Sequence, residues 1–545
     1  MPEEPTTELK IFFAPFKDLQ YVRDVPILSY VFEGQEDALV SEHFPEVEAR
    51  RKLLDKIQRK GDETATLQSV MRGDKPITLG VVYIKYPWQK RRELDVGSIN
   101  FLREVSDRTI FITKRVREEK HSKLMVVLPS RFSPQNVQNR AQRQQLAAFV
   151  KIITEAIIYQ NNFPDGLLSQ KDKKLTEVTF AFFGESQPAI DGFCVKTISE
   201  GMSIGNGLAL ARKLIEMPAN LKPPIRFVEE IAGRELDLRP GLNWRKFQIS
   251  PRIEAKVLYG LDALRSHDFQ LIAAVGQGSN NQPCLLQLRY KPKSERKKKI
   301  KKIVLTGKGV TFDAGGYDLK NTGYYDNMHH DVAGAATVVG AMRLAEERHL
   351  PVEMVAILPI VENLIGAKAV LPGTRLRAFG GKTVEIVNTD SEGRLLMAEA
   401  LAYGEKKFKS ADAMITVATL GDLTDFGPDL LKVWVTNERL ERRVKLAERL
   451  SSEKMMLFPP FDHFNHVDEM HIGRYTDLIA DVVDGDTRQC YHTAPAVFMN
   501  NFFEYEQNWV FIDNSALFDE DWGPEYGAGP GFGLKFLWYL LQQYA

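Results

Sequence analysis

Apolar and polar positions alternate in two different ways along the chain. In the first 190 or so residues, short apolar runs read as buried strands: Leu79-Gly-Val-Val-Tyr-Ile, Thr109-Ile-Phe-Ile-Thr, Leu124-Met-Val-Val-Leu and Val178-Thr-Phe-Ala-Phe-Phe. Charged, helix-compatible stretches at 45–60 and 141–159 separate some of them. That mixture predicts a smaller N-terminal α/β domain over residues 1–190. Gly184-Glu-Ser-Gln-Pro188 interrupts the apolar pattern and marks a boundary near 184–200, leaving 191–545 for a second domain.

The second domain alternates more regularly. A helical pattern from Ser203 runs to about Met217, where Pro218 ends it. Ile303-Val-Leu-Thr, Val355-Ala-Ile-Leu-Pro-Ile and Ala413-Met-Ile-Thr-Val-Ala read as strands. Between them, 332–346 and 392–408 read as helices, the first with Ala and Gly on its inner face. Strands alternating with helices of this length predict an α/β fold with a mostly parallel sheet flanked by helices. Ligands of such sheets sit beyond the carboxyl ends of the strands.

Composition narrows the class. At 545 residues, 44% hydrophobic and 26% charged, the chain has material for two cores. Lys+Arg and Asp+Glu both number 72, so no net charge draws it to nucleic acid or an anionic membrane. No apolar run reaches the roughly 18 residues of a membrane span. Cys194, Cys284 and Cys490 are scattered and odd in number, which fits a reducing, cytoplasmic setting. The acidic, polar N-terminus resembles neither a secretory signal nor a transit peptide. The run KPKSERKKKIKK at 291–302 reads as a solvated loop between two strands, with a basic nucleic-acid patch as the sharper alternative.

Unusual polar residues gather between 306 and 394. Thr306-Gly-Lys-Gly-Val-Thr-Phe-Asp313 follows one strand, Asp331 precedes the small-residue helix, and Asn388-Thr-Asp-Ser-Glu392-Gly-Arg394 opens the next helix. Singly these are ordinary: Asp331 reads as an N-cap, and Asp390 with Glu392 complements a helix dipole. Together, four carboxylates at loop ends of one sheet repel one another unless cations neutralise them. An oxygen-rich set suits Zn, Mn, Mg or Co, and two ions sharing carboxylates recur in hydrolases. The residues alone therefore point to a metal hydrolase.

GKGVTFDAGG at 307–316, Lys320, Asp331-x-x-Gly-Ala-Ala and NTDSEGRL at 388–395 together resemble the M17 leucyl aminopeptidase family. Glu362-Asn363, Pro372-Gly373, Met217-Pro-Ala-Asn220 and Ala418-Thr-Leu420 add to the resemblance, which spans roughly 200–545. It implies a metal-dependent aminopeptidase that removes N-terminal amino acids from peptides by a two-metal hydrolytic mechanism. One ion would be held by Asp313, Asp390 and Glu392, the other by Lys308, Asp313, Asp331 and Glu392. Zn and Mn are the implied ions, with Mg or Co also admissible. Lys320 would stabilise the oxyanion and Arg394 would hold a bicarbonate. Met328, Thr419 and Leu420 would line the pocket for the substrate's first side chain. A homohexamer is implied as well.

Three departures from the family pattern stand out. Tyr317-Asp-Leu precedes Lys320, His329-His330 precedes Asp331, and Asp422 stands where the family has a glycine near the pocket. The histidines could pass for metal ligands, but the family uses no histidine there, and they read as pocket-lining or structural rather than metal-binding. Asp422 would favour a basic first residue or disfavour an apolar one, tested by the ranking of leucyl, arginyl and lysyl amides in wild type and Asp422→Gly. The departures also frame two other readings: an inactive homologue with a structural or assembly role, and a nucleic-acid-binding aminopeptidase. All seven family positions are intact, which weighs against the first. Only the basic run supports the second.

Overall fold

The computed structural model describes residues 9–15, 27–32, 65–72, 75–84, 99–128, 140–162, 174–182, 188–293, 300–321, 323, 325–421, 430–481, 492–505, 508–515 and 531–545. Two compact units divide the chain, Met1–Ala209 and Leu210–Ala545. The division falls within the long helix α3 (Pro188–Ile215). The helix expected from Ser203 thus starts earlier, at Pro188, and ends at Ile215, three residues short of Pro218.

In the first unit, strands β1 (Lys10–Pro15), β2 (Ile27–Phe32), β3 (Ala65–Arg72), β4 (Lys75–Ile84), β5 (Lys123–Val127) and β6 (Glu177–Phe182) form one sheet in the order β1-β6-β5-β2-β4-β3. Every pair is parallel except β3–β4. Helices α1 (Ile99–Glu118) and α2 (Arg140–Asn161) contribute Val105, Ile112, Val116, Phe149, Ile153 and Ile157 to its core. The expected strand at Thr109–Thr113 lies inside α1 instead. Val105, Ile112 and Val116 fall on one helical face. Thr109 and Thr113 turn their hydroxyls back to the carbonyls of Val105 and Thr109, at 2.6 and 2.7 Å. Helical burial and these back-bonds outweigh the strand preference of a β-branched run. The expected helix at 45–60 lies outside the described residues.

The second unit is built on a mixed sheet of ten strands. Its members are β7 (Gly241–Ser250), β8 (Ile253–Tyr259), β9 (Cys284–Tyr290), β10 (Lys301–Gly307), β11 (Gly309–Asp313), β12 (Val352–Asn363), β15 (Ala413–Ala418), β16 (Leu431–Val435), β17 (Met455–Leu457) and β19 (Trp509–Asp513). They run in the order β17-β16-β19-β15-β10-β12-β9-β8-β7, with β11 pairing β12. The centre, β19-β15-β10-β12, is parallel, as expected. The β12–β9, β9–β8 and β8–β7 pairs are antiparallel, which the alternation did not reveal. Strands β13 (Thr374–Arg377), β14 (Thr383–Ile386) and β18 (Leu478–Ile479) form a small separate sheet.

The central strands are buried on both faces, so they carry continuous apolar runs: all six residues of β15 are buried, and so are Ile303, Val304 and Leu305 of β10. Their parallel register brings the carboxyl ends together, pairing Gly307 with Val417, Asp313 with Asn363 and Ala418 with Asp513. Helix α4 (Ala333–Glu347) packs on these ends, and α5 (Glu392–Lys407) is buried through its first turns. Among the described residues, no helix is long and apolar enough to cross a membrane.

Candidate metal centre

The site grows from the close approach of α4 to the strand ends. Lys308 joins β10 to β11. Its N–H donates to Val417 O at 3.1 Å and its carbonyl accepts from Ala335 N at 2.8 Å. Only a glycine at the point of contact lets the helix start come so near. A Cβ on Gly334 would strike the Val417 carbonyl and lie 2.9 Å from Lys308 N. The Ala- and Gly-rich face read from the sequence is this contact.

Asp331 does not cap α4. Val332 holds the N-cap position without a side-chain hydrogen bond. The Asp331 carboxylate turns inward instead, accepting from Thr419 Oγ1 at 2.6 Å and pairing with Lys308 Nζ at 2.8 Å. Attraction to a buried ammonium replaces the cap. Lys308 Nζ also stands 2.8 Å from Glu392 Oε1 and donates to Thr419 O at 2.8 Å.

A second lysine closes the other side. Lys320 Nζ lies 2.8 Å from Asp313 Oδ2 and 2.5 Å from Asp390 Oδ1. Lys308 is 4% exposed and Lys320 15%, so Lys320 is the cation nearer solvent. Asp313 Oδ1 accepts from Gly315 N at 3.0 Å and Asn363 Nδ2 at 2.8 Å. Asn388 caps the turn at Thr389–Ser391 by accepting from Asp390 N at 2.8 Å. Thr389 Oγ1 donates to Gly315 O at 2.6 Å, and Asp318 accepts from Thr389 N at 2.7 Å. These bonds stitch the loop after β11 to the start of α5.

The electrostatics show the cost of gathering these groups. Burial, then the charges of Asp313 and Glu392, push the Asp390 carboxyl up to about 8. Burial and Asp313 raise Glu392 as well, and burial carries Asp331 well above the usual carboxylate range. Burial lowers both lysines, but the surrounding carboxylates outweigh it and the net direction is up. Asp313, Asp390 and Glu392 each offer an oxygen within 4.8 Å of the others. Glu392 Oε2 is buried without a hydrogen-bond partner among the described residues. A dication fits that set: it would supply the partner Glu392 Oε2 lacks and relieve the mutual repulsion.

Arg394 sits in the first turn of α5, where Nη1 donates to Asp481 Oδ1 at 2.8 Å and Ala480 O at 3.1 Å. Asp481 and Asn363 carry much of this network. Asn363 was visible only as part of a matching motif. Asp481 lies 87 positions beyond Arg394 with no spacing signal to mark it. Met328 is half-buried and opens the turn Met328–His330. Leu420 is half-buried against the core. Asp422 and the middle of the basic run, 294–299, lie outside the described residues. His329 and His330 stand against each other, centroids 4.0 Å apart, with His330 Nε2 3.7 Å from Glu216 Oε2. Burial, then His330 and Lys222, hold the His329 imidazole down at about 3.

Comparison with known proteins places these elements in a larger group. Residues 209–538 match the model of the cytosol aminopeptidase family, catalytic domain. A probable cytosol aminopeptidase of Syntrophotalea carbinolica is 31% identical over 73% of this chain and 76% of its own. Among solved structures, a point mutant of tomato leucine aminopeptidase has the same fold, with a TM-score of 0.75 at 21% identity over 99% of this chain and 98% of its own. The bottromycin maturation enzyme BotP in complex with Mn superposes with a TM-score of 0.71 at 21% identity, over 95% of this chain and 99% of its own.

Proposed function

Because this chain belongs to the cytosol aminopeptidase family and is a metal-dependent aminopeptidase, we propose that its reactive centre is the cluster of Lys308, Asp313, Lys320, Asp331, Asp390, Glu392 and Arg394. The observation that carries this reading is the meeting of Asp313, Asp390 and Glu392 oxygens within 4.8 Å at the carboxyl ends of the parallel strands. Asp313, Asp390 and Glu392 would hold one divalent ion. Asp313, Asp331 and Glu392 would hold a second, with Asp313 and Glu392 shared. Lys308 would join them as the neutral amine that two adjacent dications would leave it once their charge replaces its own against the carboxylates. Two such ions would supply Lewis-acid polarisation of the scissile carbonyl and of water. Zn and Mn are the ions proposed, and Mn is the ion named with BotP.

The chain's own residues do the rest. Lys320, the cation nearer solvent, would hold the oxyanion as it develops. Asn363 and Thr389 orient Asp313 and the 388–392 turn, so the carboxylates meet substrate pre-set rather than mobile. Arg394 uses Nη1 for Asp481 and Ala480 O. Its guanidinium carries five N–H donors, so others remain for a bicarbonate that moves a proton. Met328 and Leu420 would line the pocket for the first side chain of the peptide, while Thr419 braces Asp331 and Lys308. A cytoplasmic homohexamer completes the reading, which light scattering of the purified protein tests.

The deciding experiment is an assay on a panel of aminoacyl fluorogenic amides with added Mn or Zn, run beside Lys320→Ala. Activity that chelation abolishes and Lys320→Ala lacks supports the assignment. Equal activity in wild type and variant would sink it, and no activity in either would favour the inactive homologue.

A further inference from the structure

We infer that Glu216, His329 and His330 form an additional cation site, sharing no ligand with the catalytic cluster, that takes a borderline divalent transition ion such as Zn(II), Co(II) or Cu(II). The histidine pair is the departure from the family pattern that the catalytic centre leaves unused. Each of the three residues offers one donor atom, and these atoms lie within 4.8 Å of one another. A tetrahedral ion with bonds of about 2.0–2.1 Å spaces its donors roughly 3.4 Å apart. His330 Nε2 and Glu216 Oε2 already stand 3.7 Å apart.

The backbone explains why the donors meet. The short turn Met328–His330 sets two consecutive imidazoles side by side, tilted by 52°. Glu216 follows directly on α3, just before Pro218 stops the helical path. Lys222 ties the two segments together: its Nζ donates to Ile215 O at 2.5 Å and to His329 O at 2.6 Å. The ligands therefore come from pieces of chain already fixed to each other. Glu216 Oε1 is buried with no hydrogen-bond partner among the described residues. A buried carboxylate oxygen without a donor is costly, and a cation satisfies it. Two imidazoles with one carboxylate select Zn, Co, Ni or Cu over Mg or Ca. Asp331 follows His330 directly, so an ion here would pin the turn that presents Asp331 to Lys308.

The test is metal stoichiometry of the full chain, stripped with chelator and then dialysed against Zn(II). Wild type should hold three ions, Glu216→Gln and His330→Asn two, and Asp313→Asn/Glu392→Gln one. Wild-type stoichiometry unchanged by Glu216→Gln overturns the proposal. A wild type with one ion, kept in the double variant and lost in Glu216→Gln, upholds this site while sinking the two-ion reading of the catalytic cluster. One equivalent of Cu(II) added to the double variant should show imidazole nitrogen couplings by electron paramagnetic resonance, and their absence would overturn the assignment. Circular dichroism melts verify that each variant is folded.

Discussion

Arg394 Nη1 donates to Asp481 Oδ1 at 2.8 Å, while Asp481 Oδ2 accepts from Asn388 Nδ2 at 2.9 Å and Ser391 Oγ at 2.6 Å. One carboxylate so fixes the guanidinium and the turn that carries Asp390. Asp481→Asn keeps the shape but removes the charge that holds Arg394. The expected result is a drop of about tenfold in kcat with KM changed far less, because orientation at the reacting centre is lost rather than peptide contact. Steady-state kinetics on an aminoacyl amide measures it; an unchanged kcat removes Asp481 from the network.

Lys320→Ala takes away the ammonium that bridges Asp313 and Asp390. Losing a preorganised oxyanion partner costs about 10²–10³ in kcat. Metal content should stay near the wild-type value, since Lys320 is not among the proposed ligands. A variant that loses its metal in parallel would assign Lys320 to ion retention instead.

Gly393 opens α5 beneath Lys308. A Cβ there would lie 2.8 Å from both Cε and Nζ of Lys308 and strike Leu420 Cδ2. Gly393→Ala should therefore displace the Lys308 amine from Asp331 and Glu392. The expected readout is a loss of about tenfold or more in kcat/KM, with metal affinity weakened and the circular dichroism spectrum retained. Wild-type affinity and rate would show that Lys308 sits elsewhere in solution.

Glu399 is buried in α5, where it accepts from the N–H groups of Leu271, Ile272 and Phe379 at 3.1, 2.9 and 3.0 Å. Burial outweighs these bonds and raises its carboxyl from 4.5 to about 7. The folded state thus holds this proton more tightly than the unfolded chain does. Its stabilising effect is complete below pH 4.5 and is lost as pH rises through about 7, a change of about 3 kcal/mol. Glu399→Gln has no proton to lose there. Melting temperatures of the two proteins between pH 5 and 8 should converge or cross in favour of the variant as pH rises, and a difference constant with pH contradicts the shift.

The parts of this protein legible in its sequence are those set by local pattern. Continuous apolar runs at Ile303–Leu305 and Ala413–Ala418 announced doubly buried strands, because such strands have no wet face to make polar. Carboxylates at 313, 331, 390 and 392 announced a charge problem that only cations or lysines resolve. The run at 109–113 reads as a strand yet forms helix, since a β-branched run also suits a helix when its face is buried and its hydroxyls find carbonyls one turn back.

Tertiary structure decided the partners. Asp331 reads as a cap until the fold brings Lys308 and Thr419 to it from 23 and 88 positions away. Asp481 has no motif, and only chain return through β18 sets it against Arg394. Glu216 and the two histidines are 113 and 114 residues apart. Short-range sterics and hydrophobic periodicity act along the chain, so the sequence alone determined the central strands and helices and the kinds of chemistry available, while at 109–113 burial chose helix over strand. Ion pairing, burial and donor geometry act through space, so the fold alone decided which of those groups meet.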